Sequence, residues 1–225
     1  MSSFRAVIAG GTGQVGAAVV RALVDAPACL EVVMVNRKPL AELPGAKVRQ
    51  VTLDTGAAGF EAEVAKLVRA LVAQGERVCG ASCIGVGAGS NAWSEEALKA
   101  LEIGVVGAFA RGCHAGGVSH FALLSAAGSN SKSRLRYVRV MGLKEEAVQG
   151  VGFARLALFR PGIIGGNAHT PRIVDWLGRV IPGSLGTIDQ RDLGRAFVAE
   201  FLQHAEKHGV ERFENAAMRA LSRQR

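Results

Sequence analysis

The sequence predicts an α/β fold in which a doubly wound, parallel sheet is covered by helices on both faces. Short apolar runs alternate with longer amphipathic stretches over the first 160 residues, which is typical of consecutive βαβ units. Several of the short runs are apolar at nearly every position, as is expected of strands buried on both faces. Glycine is abundant, at 29 of 225 residues, and lacks the three-residue period of collagen. The excess therefore serves the geometry of the backbone.

Six strands and four connecting helices follow from this pattern. The strands are predicted at 4–9, 30–35, 47–52, 77–84, 118–125 and 153–159. The helices are predicted at 14–26, 60–73, 94–114 and 133–148, and the second has apolar residues at the helical spacing. After residue 160 a turn rich in proline and glycine precedes a helix near 171–180 and another opening at about Asp189. We expect one domain, residues 1–225, whose part from about 160 onward forms the substrate side.

A glycine-rich segment separates the first strand from the first helix. Glycine is needed where the turn is tight, where the backbone approaches a pyrophosphate and where the helix packs on the strand. The N–H groups and the positive dipole end of the helix then face the phosphates. This context predicts a dinucleotide site of the Rossmann type. Its expected contacts are Gly10, Thr12, Gly13, Gln14, Val15 and Gly16.

The end of the second strand bears on the choice of dinucleotide. A site that prefers NAD usually has an acidic residue here, which binds the ribose 2′-hydroxyl. This strand instead ends Asn36-Arg37-Lys38, and the two cations suit a 2′-phosphate. We therefore expect NADP(H) in preference to NAD(H), with Arg37 as the main contact, although both cations could simply be solvated loop charges. Asp54, after the third strand, could accept from the adenine amino group, and a surface or capping role fits it as well.

An ordered set of motifs resembles the short-chain dehydrogenase/reductase superfamily in its extended or atypical branch. The motifs are AGGTGQVG, ASCIGVG, GVSHFALLSAAG, RYVRVMG and LFRPGIIGG. The strongest likeness is to the oxidoreductases of the Tat-interacting-protein type, and it runs through most of residues 4–200. The resemblance implies a Rossmann-like fold and adds Ile84, Gly85 and Pro161 to the expected cofactor contacts. Pro161 also has a purely structural explanation, because proline ends a strand.

The resemblance also implies a catalytic pair. In such enzymes a serine at the end of the fifth strand and a tyrosine on the next helix bind the substrate carbonyl, and the tyrosine transfers the proton. These positions are Ser125 and Tyr137 in this chain. A lysine four residues after the tyrosine normally holds the nicotinamide ribose and lowers the tyrosine pKa. Here that residue is Met141, and Lys144 lies about 10 Å farther along the helix from Tyr137, which predicts altered or impaired catalysis.

Three functions stay open at this point. The first is an NADP(H)-dependent oxidoreductase that acts on a small carbonyl compound, which Ser125 and Tyr137 favour. The second is a non-catalytic dinucleotide-binding regulatory or scaffold protein, which Met141 favours. The third and weakest is a nucleotide-sugar epimerase or dehydratase, because the C-terminal part is short for a large sugar nucleotide.

Charge and cysteine content limit the partners. The formal net charge is +8, and residues 132–225 contain 16 basic and 9 acidic side chains, whereas residues 1–131 contain 11 and 10. The surplus suggests a small anionic substrate, since aromatics are only 5% and no nucleic-acid motif accompanies the charge. The four cysteines lack zinc spacing, so we expect no metal. Without a signal peptide or spanning segment we expect a cytoplasmic protein with no membrane partner, as a monomer or homodimer.

Overall fold

The main sheet consists of seven parallel strands. The computed structural model describes residues 3–165 and 187–223. The strands of the main sheet are β1 (Phe4–Ala9), β2 (Cys29–Asn36), β3 (Val48–Thr52), β4 (Arg77–Ser82), β5 (His120–Leu124), β6 (Arg155–Arg160) and β9 (Gly209–Glu214). Their spatial order is β3-β2-β1-β4-β5-β6-β9, and every neighbouring pair is parallel. A separate parallel pair is formed by β7 (Ile163–Gly165) and β8 (Thr187–Asp189).

Helices cover both faces of this sheet. They are α1 (Gln14–Asp25), α2 (Phe60–Val72), α3 (Glu95–Lys99), α4 (Val106–Gly116), α5 (Arg136–Gln149), α6 (Gln190–Gln203) and α7 (Asn215–Ser222). A 3₁₀ segment, Gly87–Ala92, precedes α3, and a π-helical segment, Ala100–Val105, joins α3 to α4 without a break. The predicted doubly wound α/β fold is therefore confirmed.

Strand β1 shows why the apolar runs are continuous. Its residues Phe4 and Ile8 belong to a core shared with α1 and α6, whereas Val7 and Ala9 belong to a second core shared with α2 and α4. All four side chains are at most 2% exposed. A strand covered on both faces is therefore apolar at nearly every position, and Arg5 near its start is the exception in β1.

The structure differs from the sequence-based expectation in one predicted helix and in several added elements, which include the short strands β7 and β8. The helix predicted at 94–114 contains the π-helical segment in its middle. Strand β9 and helix α7 were not predicted, because β9 lies at the sheet edge and buries only Phe213 among alternating polar residues. The helix expected near 171–180 lies outside the described residues. The helix expected to open at Asp189 is α6, which Asp189 caps by accepting from the Arg191 N–H at 2.7 Å.

Within the described ranges no helix has the length and apolar character needed to cross a membrane. The four cysteine side chains are buried free thiols.

Candidate active site

The predicted site residues gather at one edge of the main sheet. Gly10 follows β1, Asn36 ends β2, Ile84 follows β4, Ser125 follows β5 and Pro161 follows β6. The sheet is parallel, so all five lie at its carboxyl edge. The strand order changes direction between β1 and β4, and ligands of open α/β sheets bind in the crevice at such a point.

The glycine-rich turn after β1 leaves no room for a side chain at Gly10 or Gly16. Gly10 has φ +79, and a Cβ there would lie 2.5 Å from the carbonyl carbon of Cys83 and from the Ile84 nitrogen. A Cβ on Gly16 would lie 2.0 Å from the carbonyl oxygen of Gly10. Gly13 begins α1 without a side-chain cap, and it is exposed together with Thr12 and Gln14. Open N–H groups at this helix terminus fit a phosphate.

The ends of β2 and β3 lie on one side of this crevice. Arg37 and Lys38 are exposed, whereas Asn36 is buried and its amide donates to Gln50 at 3.4 Å. The carboxylate of Asp54 accepts from the N–H of Gly56 at 2.9 Å. This bond closes a turn ahead of α2, whose N-cap is Gly59, so Asp54 does not cap that helix, and its side chain is exposed.

Ser125 is bound to a buried ion pair. Its hydroxyl donates to Oε1 of Glu145 at 2.5 Å and lies 3.0 Å from the Ser129 hydroxyl. Arg160 binds both oxygens of Glu145, at 2.8 and 2.5 Å. A hydroxyl that donates to a carboxylate has no second proton for a substrate carbonyl. Ser125 can therefore position a substrate by accepting, and Glu145 and Arg160 hold it in place.

Tyr137 lies in the first turn of α5 against apolar neighbours. It packs with Met141 and Leu98 in a small cluster, and Met141 is 1% exposed. Burial, together with the negative charge of Glu102, raises the pKa of Tyr137 to about 12. The position that a lysine would occupy is thus apolar, and the tyrosine hydroxyl keeps its proton over the neutral range.

A second buried ion pair lies below the loop that follows β4. Nζ of Lys144 donates to Oε2 of Glu102 at 2.8 Å and to the carbonyl oxygen of Ile84 at 3.4 Å. Oε1 of Glu102 accepts from the Val86 N–H at 3.1 Å. Both charged side chains are at most 1% exposed. The ion pair therefore links α5 and the π-helical segment to the buried side of this loop.

The basic residues around Tyr137 divide into two groups. Arg136 donates to the carbonyl oxygens of Trp93 and Ser90, at 2.9 and 3.0 Å, and Arg139 binds Glu95 at 2.9 Å. These two cations thus support the segment that leads into α3. Lys132 and Arg134 are exposed and remain as surface charges on this side of the molecule.

Sequence reasoning missed four charged residues of the site. Glu102, Lys144, Glu145 and Arg160 were not assigned roles. The first three contact the loops at the carboxyl edge, and Arg160, which ends β6, binds Glu145. One signal was present for α5: positions 137, 141, 144 and 148 follow a helical spacing, so Lys144 is a charge on a face that is otherwise apolar or aromatic. The partner of each charge lies on another element, which no local pattern identifies.

Comparisons with known proteins give distant relatives. No protein-family model matches the chain. Protein fmp52, mitochondrial, of Emericella nidulans is 26% identical over 182 residues, which cover 80% of this chain and 75% of that one. Protein HTATIP2 of Rattus norvegicus is 41% identical over 71 residues, which cover 32% and 29%.

Solved structures show the same fold at low identity. The oxidoreductase ylbE of Lactococcus lactis aligns with a TM-score of 0.68 and 15% identity, covering 98% of this chain and 97% of that one. MoeE5, solved with UDP-glucose and NAD, aligns with a TM-score of 0.68 and 14% identity, covering 93% and 76%.

These matches confirm the resemblance to the atypical branch of the short-chain dehydrogenase/reductase superfamily, with its NAD-binding fold. They contradict the expected cytoplasmic location, since several relatives are named as mitochondrial proteins. The expectation was wrong because it rested on the absence of a secretory signal, which does not separate these compartments.

Proposed function

We propose that this chain is an NADP(H)-dependent oxidoreductase that reduces a small carbonyl compound, with catalysis altered by Met141. The observation that carries the proposal is that Ser125 follows β5 and Tyr137 lies in the first turn of the next helix, at the carboxyl edge of the sheet that also bears the open N-terminus of α1. Positioning an acid next to a dinucleotide site is what carbonyl reduction requires.

The glycine turn supports a dinucleotide at this edge. MoeE5, of like fold, was solved with NAD. Gly10 and Gly16 allow the tight packing of the turn, and the exposed Gly13 between them leaves the close approach that a pyrophosphate needs. The exposed pair Arg37 and Lys38 supports a 2′-phosphate, because no carboxylate ends β2 to bind a 2′-hydroxyl. Contacts from Thr12, Gln14, Val15, Ile84, Gly85 and Pro161 belong to the same proposal.

Proton transfer falls to Tyr137. A bound nicotinamide supplies the hydride, and the tyrosine hydroxyl donates the proton to the substrate oxygen. Burial and the charge of Glu102 raise the pKa of Tyr137 to about 12, so the proton is present throughout the neutral range. The reverse reaction needs tyrosinate, which is scarce at that pKa. A phenol with so high a pKa is also a weak general acid, so we expect slow proton transfer at neutral pH, in line with altered catalysis.

The substrate side lies toward the carboxyl end of β6. The chain from about residue 160 onward, within one domain of residues 1–225, would close this side, and Lys132 and Arg134 would attract an anionic substrate. The N–H of Gly162 donates to the side chain of Asn215 at 3.1 Å, so α7 supports the turn after β6.

A second function is favoured by specific contacts. Met141 places an apolar group where a lysine would stand, and Ser125 already donates to Glu145 at 2.5 Å. Both features suit a protein that binds the dinucleotide without turning it over and transmits its presence to a partner.

The test uses purified protein, NADPH and a panel of small aldehydes and ketones. The proposal predicts NADPH consumption by the wild type and a loss of roughly 10²-fold or more in Tyr137→Phe, the usual contribution of a general acid. Affinity for NADPH should be equal in the two proteins. Tight binding with no turnover on any carbonyl, in wild type and variant alike, would support the regulatory function instead.

A further inference from the structure

Neither Glu102 nor Lys144 donates or accepts the proton in the proposed reaction, and the position of this buried pair in the fold calls for an explanation. Removing two charges from water is costly, and apolar side chains of similar size often fill such a space as stably or more so. A buried ion pair is therefore weak evidence of a stabilising role. Its contacts with the loop after β4 suggest that it positions this loop.

The pair holds two backbone groups of that loop. Glu102 accepts from the Val86 N–H at 3.1 Å, and Lys144 donates to the Ile84 carbonyl oxygen at 3.4 Å. Between these residues Gly85 is exposed, and a Cβ there would lie 3.2 Å from Oε1 of Glu102. The loop is thus held on its buried side by the ion pair, whereas its other side, at Gly85, is exposed to solvent.

The same loop forms one wall of the glycine turn. A Cβ on Gly10 would lie 2.5 Å from the Ile84 nitrogen, so any shift of the loop changes the crevice between β1 and β4. With the adenosine at the end of β2 and the pyrophosphate at the glycine turn, the nicotinamide half must extend past β4 toward Tyr137. Residues 84–86 lie along that course.

The local geometry directs both charged side chains toward the loop. Glu102 lies within the π-helical segment Ala100–Val105, and such segments are frequent at functional sites. Lys144 is seven residues beyond Tyr137, but helical side chains lean toward the helix N-terminus. Its amine therefore reaches back along α5 to the carboxyl end of β4, so the axial distance from Tyr137 overstates its separation from the site.

We propose that Glu102 and Lys144 are positioning residues that hold loop 84–86 in the shape that binds the nicotinamide half of a dinucleotide. The inference rests on the proposed function and names one determinant of it. The pair acts through the loop and takes no part in the transfer of hydride or proton.

The test separates the two halves of the ligand. Dissociation constants are measured by calorimetry for NADPH and for 2′,5′-ADP, which lacks the nicotinamide half. NADH and ADP are measured separately as the corresponding pair without the 2′-phosphate. The double variant Glu102→Met/Lys144→Met replaces the pair by apolar groups and removes both loop contacts. We expect its affinity for NADPH to fall roughly tenfold, the equivalent of one to two net hydrogen bonds. Its affinity for 2′,5′-ADP should stay within about twofold.

Two further variants separate loop positioning from simple stability. Glu102→Gln/Lys144→Met keeps an acceptor for Val86 without any charge, and we expect it to recover part of the lost NADPH affinity. The reversed pair Glu102→Lys/Lys144→Glu keeps an ion pair but has the wrong donor and acceptor for the loop, so it should remain defective. Thermal unfolding of each variant shows whether the fold is retained, and if one fails to fold the other two still decide.

Each result has a distinct meaning. Equal loss of affinity for both ligands in a folded variant would overturn the inference, because the damage would then be general. Unchanged NADPH affinity in the Met/Met or the reversed variant would overturn it as well. Failure of the wild type to bind any of the four ligands would instead refute the proposed function, and this inference with it.

Discussion

Replacing Gly16 by alanine should damage the fold before any ligand is added. A Cβ at this position would lie 2.0 Å from the carbonyl oxygen of Gly10, and real Cβ atoms essentially never approach closer than 3.0 Å. The turn or α1 must therefore move by about 1 Å at a point where the opposing atom belongs to the backbone. Overpacking of this kind costs about 1–3 kcal/mol, which corresponds to a fall in Tm of about 2–12 °C for a chain of this size.

Gly13→Ala is the matched control in the same turn. Its backbone, at φ −74 and ψ 163, suits any residue, and a Cβ there would meet only the Gly10 oxygen at 3.5 Å, an ordinary contact. The unliganded protein should keep its Tm within about 1 °C, since the folded state gains no clash. The added methyl group nevertheless stands at the exposed helix terminus, where we propose that the pyrophosphate binds.

The assay compares thermal unfolding with and without NADPH. We expect Gly16→Ala to lower the Tm of the free protein, and Gly13→Ala to leave it unchanged but to reduce the stabilisation that NADPH gives. An unchanged Tm in Gly16→Ala would contradict the close packing of Gly16 against the Gly10 carbonyl oxygen. If NADPH raises the Tm of Gly13→Ala as much as that of the wild type, the pyrophosphate does not bind at this turn.

Three other predictions concern single side chains. Tyr137 is the sole tyrosine, so the ultraviolet absorbance of tyrosinate reports it alone. With its pKa raised from 10 to about 12 by burial and the charge of Glu102, the folded protein should show no tyrosinate at pH 10, and a midpoint at 10 would refute the buried setting. Arg37→Ala should weaken NADPH roughly tenfold or more and leave NADH unchanged; a parallel loss for both would assign Arg37 a general role. Glu200 lies at the opposite edge of the sheet, bound by Arg155 at 2.7 and 3.1 Å and by His120 at 3.1 Å. Burial acts to raise its pKa, but these hydrogen bonds and charges outweigh it and lower the pKa from 4.5 to about 2, so its stabilisation of about 3 kcal/mol is complete above pH 4.5 and is lost as the pH falls toward 2. Stability measured by denaturant at several pH values should show this decline in the wild type and a flatter profile in Glu200→Gln, and identical profiles would contradict it.

The central fold could be predicted because its signals are local. The glycine turn identifies the first βα unit, and buried strands such as β1 need apolar residues on both faces, which makes the alternation easy to read. Strand β9 escaped prediction because an edge strand buries one face only, here through Phe213. Its place is set by pairing with β6, which lies more than 40 residues earlier in the chain.

The candidate site could be predicted only in part, for a related reason. Ser125 and Tyr137 were found through motifs, but their surroundings are contacts between distant elements. Glu145 meets Ser125 across 20 residues and Lys144 meets Glu102 across 42. The role of Lys144 could not be read from its distance to Tyr137 along the helix, because its amine contacts Glu102 and the Ile84 carbonyl oxygen, which belong to other elements.

Transfer of a labelled hydride tests the central claim most directly. NADPH carrying deuterium at both positions of C4 of the nicotinamide is incubated with the protein and the carbonyl panel, and the alcohols are analysed by mass spectrometry. The account predicts one deuterium in the product alcohol with wild type and little or none with Tyr137→Phe at equal NADPH occupancy. Saturated binding of NADPH with no deuterated alcohol from any carbonyl, or equal transfer by the two proteins, would contradict it.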